Sequence, residues 1–315
     1  MAAKTSKKKR RGDDTPWIQK IKTVLQVLKE SPVVPSNRPV LREKLGVGAT
    51  PRALIHEEMC MKVYRYLGDW DGAQGAVLLV PSLVNGPYIM DLMPRHSLVG
   101  GLLERGVDVF MLEWDMPPVG IGGVDMEEVV VRLIPRAVRA ARRRLGTRGA
   151  ELTVLGQCLG ATVAAVSLAL EPGLAAGFVS LTAPYDFTPD CLLKRWTSKE
   201  VFKLEAVYAA FPDAVPHELL QIAFPLLDPK ALVTRYRSLY ERAGSQRFVA
   251  MFQALDLWTK DGQPIPAAFL EEVIRDFYWE NRLYRGDYSV SGRRVRLDRF
   301  QGPVLNLYAQ GDNIV

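Results

Sequence analysis

The stretch Glu151-Leu152-Thr153-Val154-Leu155-Gly156-Gln157-Cys158-Leu159-Gly160-Ala161-Thr162-Val163-Ala164-Ala165 decides the fold. A short apolar run leads into Gly-x-Cys-x-Gly, and an alanine-rich segment of helical character follows at once. Strand, tight turn and helix form the context of the G-x-S-x-G nucleophile elbow, here with Cys158 where serine usually stands. The spacing is a steric requirement. The nucleophile occupies a strained turn, and Gly156 and Gly160 let strand and helix approach without a Cβ clash. The helix N-terminus then turns its free N–H groups toward Cys158, which predicts a thiol that ionises below its free value of about 8.5. A buried core thiol is the alternative for any single cysteine, but the strand before and the helix after favour the nucleophile.

On either side of this stretch, strand and helix signals alternate. Apolar runs suited to buried parallel strands are Ala76–Val80, Val107–Leu112, Leu152–Leu155, Phe178–Leu181 and Val304–Ala309. A helix is predicted from about Asp125, where Asp125-Met126-Glu127-Glu128 resembles a capping box and Arg142, Arg143 and Arg144 suit the last turn. Alternation of this kind predicts an α/β fold with a mostly parallel, doubly wound sheet covered on both faces. From about Pro189 to Leu283 the pattern becomes aromatic-rich and helical with repeated prolines, as expected of a helical cap inserted between two late strands. The predicted organisation is a basic tail with an amphipathic helix over 1–35, the first part of the core over 36–188, the cap over 189–284, and the second part of the core over 285–315.

Charge and cysteine usage exclude several classes. Lys and Arg total 41 against 35 Asp and Glu, but six basic residues fall within the first eleven. The remainder is balanced, so the basic character belongs to a tail and not to a nucleic-acid-binding fold. Cys60, Cys158 and Cys191 show no CxxC spacing, which argues against a zinc ribbon or a disulfide scaffold and favours a reducing cytoplasm. Trp17, Ile18, Ile21, Val24, Leu25 and Leu28 recur at helical spacing behind the tail, predicting a helix that docks on its own domain or on a surface. No apolar run is long enough to predict a transmembrane segment or a cleaved leader.

Several blocks resemble the polyhydroxyalkanoate synthases, and most closely the catalytic subunit of the two-subunit type. They are Val63-Tyr64-Arg65-Tyr66, Pro81-Ser82-Leu83-Val84-Asn85-Gly86-Pro87-Tyr88, Gly106–Trp114, the Cys158 box, Thr182-Ala183-Pro184-Tyr185-Asp186-Phe187, Asp276-Phe277-Tyr278-Trp279-Glu280-Asn281 and Pro303–Asp312. The resemblance runs from about residue 54 to the last residue and implies an α/β-hydrolase fold. It implies that Cys158 takes the acyl group of a hydroxyacyl-CoA as a thioester, and that coenzyme A leaves with no further cofactor required. It makes Asp312 the catalytic acid and Leu159 N–H an oxyanion donor, with Val84 N–H as the second. Expected partners are the hydroxyacyl-CoA, a companion synthase subunit, further copies of the chain and the surface of a cytoplasmic polymer granule; nucleic acid and metal are not expected.

Three departures from the family pattern stand out. Asn313 follows Asp312 where the family usually has histidine, and Ala161 replaces a frequent second glycine. The family's catalytic histidine, with a further helix and strand, lies beyond the position of Val315; His56, His96 and His217 match no family motif and are not assigned as the base. An inactive interaction subunit is therefore one alternative. A thioesterase, esterase or polymer depolymerase of the same fold is another, although such enzymes usually carry serine at the elbow. The terminal Gly311–Val315 segment is expected to be displaced or disordered.

Overall fold

The computed structural model describes residues 16–68, 75–117, 119–145, 151–221 and 229–312. The basic run at Lys4–Arg11 and residues 313–315 lie outside the described residues, so the expectations for them do too. Its centre is a seven-stranded sheet. The strands are β1 (Arg52–Glu58), β2 (Cys60–Tyr66), β3 (Gly75–Val80), β4 (Val107–Asp115), β5 (Leu152–Gln157), β6 (Gly177–Leu181) and β7 (Val304–Leu307). Their spatial order is β1-β2-β4-β3-β5-β6-β7. Antiparallel pairs join β1 to β2 and β2 to β4, and every pair from β4 to β7 is parallel. That order, with the elbow at the end of β5, is the α/β-hydrolase sheet.

Period-two alternation explains why the inner strands read as continuous apolar runs. On β3, Ala76, Leu78 and Val80 face one buried cluster, while Val77 and Leu79 face another. The first cluster packs under α4 (Ile134–Leu145) and α5 (Leu159–Leu170), both labels counting α1 (Pro16–Lys29), α2 (Asn37–Leu45) and α3 (Leu98–Leu103) before them. The second lies under α3, through Val99 and Leu102. At the edge, all four residues of β7 are exposed.

Two local expectations change. The hairpin of β1 and β2 was not foreseen as strand, because β1 is largely exposed and lacks an apolar run. The helix after Asp125 opens with half a capping box: Asp125 Oδ1 accepts the Glu128 N–H at 2.8 Å, but the Glu128 carboxylate turns to Arg132. Residues Glu128–Leu133 then wind as a π-helix before α4.

Between β6 and β7 the chain runs through helices that include Pro229–Glu241, Gln246–Lys260 and Ala267–Glu272, the last continued by a π-helix over Val273–Trp279. Helix α1 docks here through Val24 and Val27, which pack with Leu239 and Phe252. Its Trp17, Ile21, Leu25 and Leu28 stay exposed.

Candidate active site

Strand β5 delivers Cys158 into a turn with φ 53° and ψ −132°, and α5 begins at the next residue. A non-glycine residue held at positive φ costs about 1–3 kcal/mol and persists only where its surroundings dictate it. Those surroundings are close. A Cβ on Gly156 would lie 2.2 Å from Ala161 Cα, and one on Gly160 would lie 2.3 Å from the Pro81 carbonyl oxygen. Ala161 is fully buried against Gly156, so its methyl fits where a second glycine is frequent. The Cys158 N–H donates to Leu181 O at 2.9 Å, and Cys158 O accepts from Ala161 N–H at 2.9 Å.

The thiol is part-exposed as a residue, yet burial governs its ionisation. Burial pushes the Cys158 thiol up from its ordinary value, the N–H of Leu159 pulls it back, and the charge of Asp312 raises it again. The expected downward shift is therefore corrected. One backbone donor at the helix start does not outweigh desolvation by the packed surroundings. Even so, the Leu159 N–H bonds the sulfur, so a backbone donor stands at the reacting atom and favours its thiolate.

The loop after β3 supplies the other wall. Ser82 N–H reaches Gln157 Oε1 at 3.4 Å, tying the loop to the elbow box. Val84 N–H lies 3.4 Å from Ser82 Oγ, a long contact within its own loop. The same loop is fastened to the helical insertion. Asn85 Nδ2 donates to Trp258 O at 3.2 Å, Trp258 Nε1 donates to Gly86 O at 2.9 Å, and Tyr88 Oη donates to Asp261 Oδ2 at 2.9 Å.

Asp312 follows β7, is exposed, and bears electrostatically on Cys158. His56 is on β1 with Nε2 3.5 Å from Glu58, and His96 Nε2 is 3.4 Å from Arg247. His217 is buried in the insertion with its ring against Gly262, and burial pushes its pKa down.

Tyr278 and Asn281 stood in the sequence only as parts of blocks. Tyr278 is buried; burial pushes its phenol up, and the charges of Cys158 and Cys191 push it further in the same direction. Phe187 holds the Tyr278 ring edge-on at 4.9 Å. Asn281, in the left-handed conformation at φ 48°, accepts the Phe187 N–H and donates to Asp186 and Thr188. The π-helix that carries Tyr278 is a feature frequent at functional sites, but a helical periodicity pattern does not show it. Cys60 is buried at the β1–β2 turn and Cys191 caps a short helix, its sulfur accepting the Lys194 N–H at 3.4 Å.

Among the described residues, no group of three or more His, Cys, Asp or Glu is arranged to hold a metal ion, and no helix is long and apolar enough to cross a membrane. No protein-family model matches the chain. Curated relatives do. The chain is 30% identical over 289 residues to the poly(3-hydroxyalkanoate) polymerase subunit PhaC of Haloferax mediterranei, covering 89% of this chain and 57% of that protein. It is 29% identical over 310 residues to the same subunit of Haloarcula marismortui, covering 95% and 64%, and 28% identical over 282 residues to that of Allochromatium vinosum, covering 87% and 77%. The chain belongs to the PhaC family. It spans less than two thirds of the length of the two archaeal PhaC relatives. Similar solved structures include a lipase in its open form, with TM-score 0.47 and 14% identity over 82% of this chain and 78% of that one. A carboxylesterase from Nitrososphaera gargenis has TM-score 0.42 and 13% identity over 84% and 82%.

Proposed function

We propose that this PhaC relative polymerises (R)-3-hydroxyacyl groups from their coenzyme A thioesters, with Cys158 as the covalent acyl carrier. The supporting observation is the strained Cys158 turn between β5 and α5, with the Leu159 N–H directed at its sulfur. In the first step the Cys158 sulfur attacks the thioester carbonyl, the bond to the coenzyme A sulfur breaks, and coenzyme A leaves as the thiol. In the second, the 3-hydroxyl of another acyl group attacks the Cys158 thioester. A new ester forms, and the hydroxyl proton passes to the released sulfur through a base. Thioester exchange at a thiolate is nearly balanced in energy, so neither step is a sink.

Leu159 N–H is the first oxyanion donor. Val84 N–H joins it when its long contact to Ser82 yields to a charged oxygen, since charge-assisted bonds are about twice as strong as neutral ones. Asp312 is the acid that orients the base, and His56, His96 and His217 are not that base. The companion subunit, the granule surface and the cytoplasmic setting belong to the same proposal, through the family resemblance.

The test is to incubate the protein with (R)-3-hydroxybutyryl-CoA, follow coenzyme A release, and digest the quenched protein for mass spectrometry. A hydroxyacyl adduct on the Cys158 peptide together with polymer supports the proposal. Release of free hydroxy acid without polymer supports a thioesterase instead.

A further inference from the structure

Residues 282–299 carry six arginines and only two aspartates. Without its basic tail the chain is electrically balanced, so this excess is local. The segment folds as a short helix (Arg282–Arg285), a hairpin pairing Ser289–Val290 with Arg293–Arg294, and a turn over Leu297–Arg299. Between them lies a cavity of about 420 Å³, lined by Tyr185, Leu283, Tyr284, Arg294, Arg296 and Leu297 among others. That volume falls in the range of small-molecule sites, roughly 300–1,000 Å³.

The lining joins Arg294 and Arg296, the latter held by two bonds to Asp298 in the same wall, to flat apolar surface. Among the described residues, Arg296 pairs with Asp298 and Arg285 with Asp287, the charge of Arg299 also acts on Asp298, and Arg293 and Arg294 form no ion pair. Arg294 spends its Nε–H on Gly286 O, which fixes the side chain and leaves its terminal nitrogens as donors. Tyr284 is 65% exposed beside them, an aromatic face without an aromatic neighbour among the described residues. Planar guanidinium groups suit phosphate oxygens, and an open aromatic ring suits a base.

Hydrogen bonds and packing tie one wall of the cavity to the elements that carry the elbow. Tyr185 Oη bonds Ser180 Oγ at 2.9 Å, and Ser180 stands opposite Gly156, two residues before Cys158. The Leu297–Arg299 turn packs against α5, the helix that begins at the elbow. Thr162 Oγ1, in the first turn of that helix, donates to Pro184 O beside Tyr185 at 2.8 Å.

We propose that this cavity is the subsite for the phosphorylated adenosine end of the coenzyme A thioester, with Arg294 and Arg296 on the phosphates and Tyr284 against the adenine. The inference rests on the acyl-CoA reading above. It adds residues that the nucleophile chemistry does not involve.

The experiment has a binding arm and a turnover arm. In the first, the protein is titrated with adenosine 3′,5′-diphosphate and, separately, with inorganic pyrophosphate. Saturable binding of the nucleotide is expected, weakened about tenfold or more in R294Q/R296Q, as the loss of charge-assisted bonds requires. Y284A should weaken the nucleotide and leave pyrophosphate unchanged. In the second arm, R294Q/R296Q should raise KM for the hydroxyacyl-CoA while keeping kcat, and should leave turnover of the matching hydroxyacyl-pantetheine thioester unaltered. Thermal melts of the variants guard against misfolding. Equal nucleotide binding by wild type and R294Q/R296Q, or equal loss with both thioesters, overturns the subsite. Nucleotide binding without coenzyme A release by the wild type would instead count against the polymerase reading and leave the subsite standing.

Discussion

Gly160 is pressed against Pro81: a Cβ at residue 160 would stand 2.3 Å from the Pro81 carbonyl oxygen and 2.5 Å from that of Val80. The start of α5 and the end of β3 are thus in backbone contact, and this contact sets Cys158 beside the loop that carries Val84. Gly160→Ala must push the two apart. We expect a loss of about 1–3 kcal/mol, the usual cost of overpacking, with acylation lost as well. Gly173→Ala is the control, since nothing lies within 4 Å of a Cβ there. Denaturant unfolding of the two variants measures the difference.

Burial holds the Cys158 thiol above its usual range, and Asp312 adds to the effect. The thiolate is the reactive form, so iodoacetamide labelling of Cys158 should keep accelerating with pH beyond the free-thiol value of about 8.5. Asp312→Asn removes a negative charge and should move the profile to lower pH. Labelling that levels off below pH 8, or a shift in the opposite direction, would contradict the assigned electrostatics.

Asn281 joins the insertion to the segment after β6 through bonds to Phe187, Asp186 and Thr188. Asn281→Ala leaves the Phe187 N–H without its acceptor and puts alanine at φ 48°. A cost of about 2–3 kcal/mol is expected from the lost bonds and the left-handed backbone. Asn281→Gly, which relieves the backbone but restores no bond, should recover only part of it in a thermal melt.

Asp108 is buried and accepts bonds from Arg65 Nε and a terminal nitrogen, both at 2.9 Å. Arg65→Met strands that carboxylate between β2 and β4. The expected destabilisation is about 3 kcal/mol, at the low end for a broken buried pair because the arginine is part-exposed. Arg65→Met with Asp108→Asn should cost less than Arg65→Met alone, which a double-mutant cycle reads directly.

The sequence is legible where local sterics decide. The inner strands β3, β4, β5 and β6 are largely buried on both faces, so their apolar runs mark them, and the glycines flanking Cys158 have only one packing solution. It is less legible where a distant element decides. The thiol's ionisation is set by what packs over it, and helix position alone suggested the opposite direction. Val84 N–H rests on Ser82 Oγ, a contact internal to a loop whose shape no spacing reveals. The π-helix that carries Tyr278 shifts the helical register, which conceals it from a search at 3.6-residue period.

Every step of the proposed chemistry passes through Cys158 as acyl carrier. Its most direct measurement is coenzyme A release from (R)-3-hydroxybutyryl-CoA by wild type, Cys158→Ala, Cys60→Ala and Cys191→Ala side by side. Release should vanish in Cys158→Ala and persist for the most part in the other two. Turnover retained by Cys158→Ala would contradict the elbow assignment and the polymerase chemistry built on it.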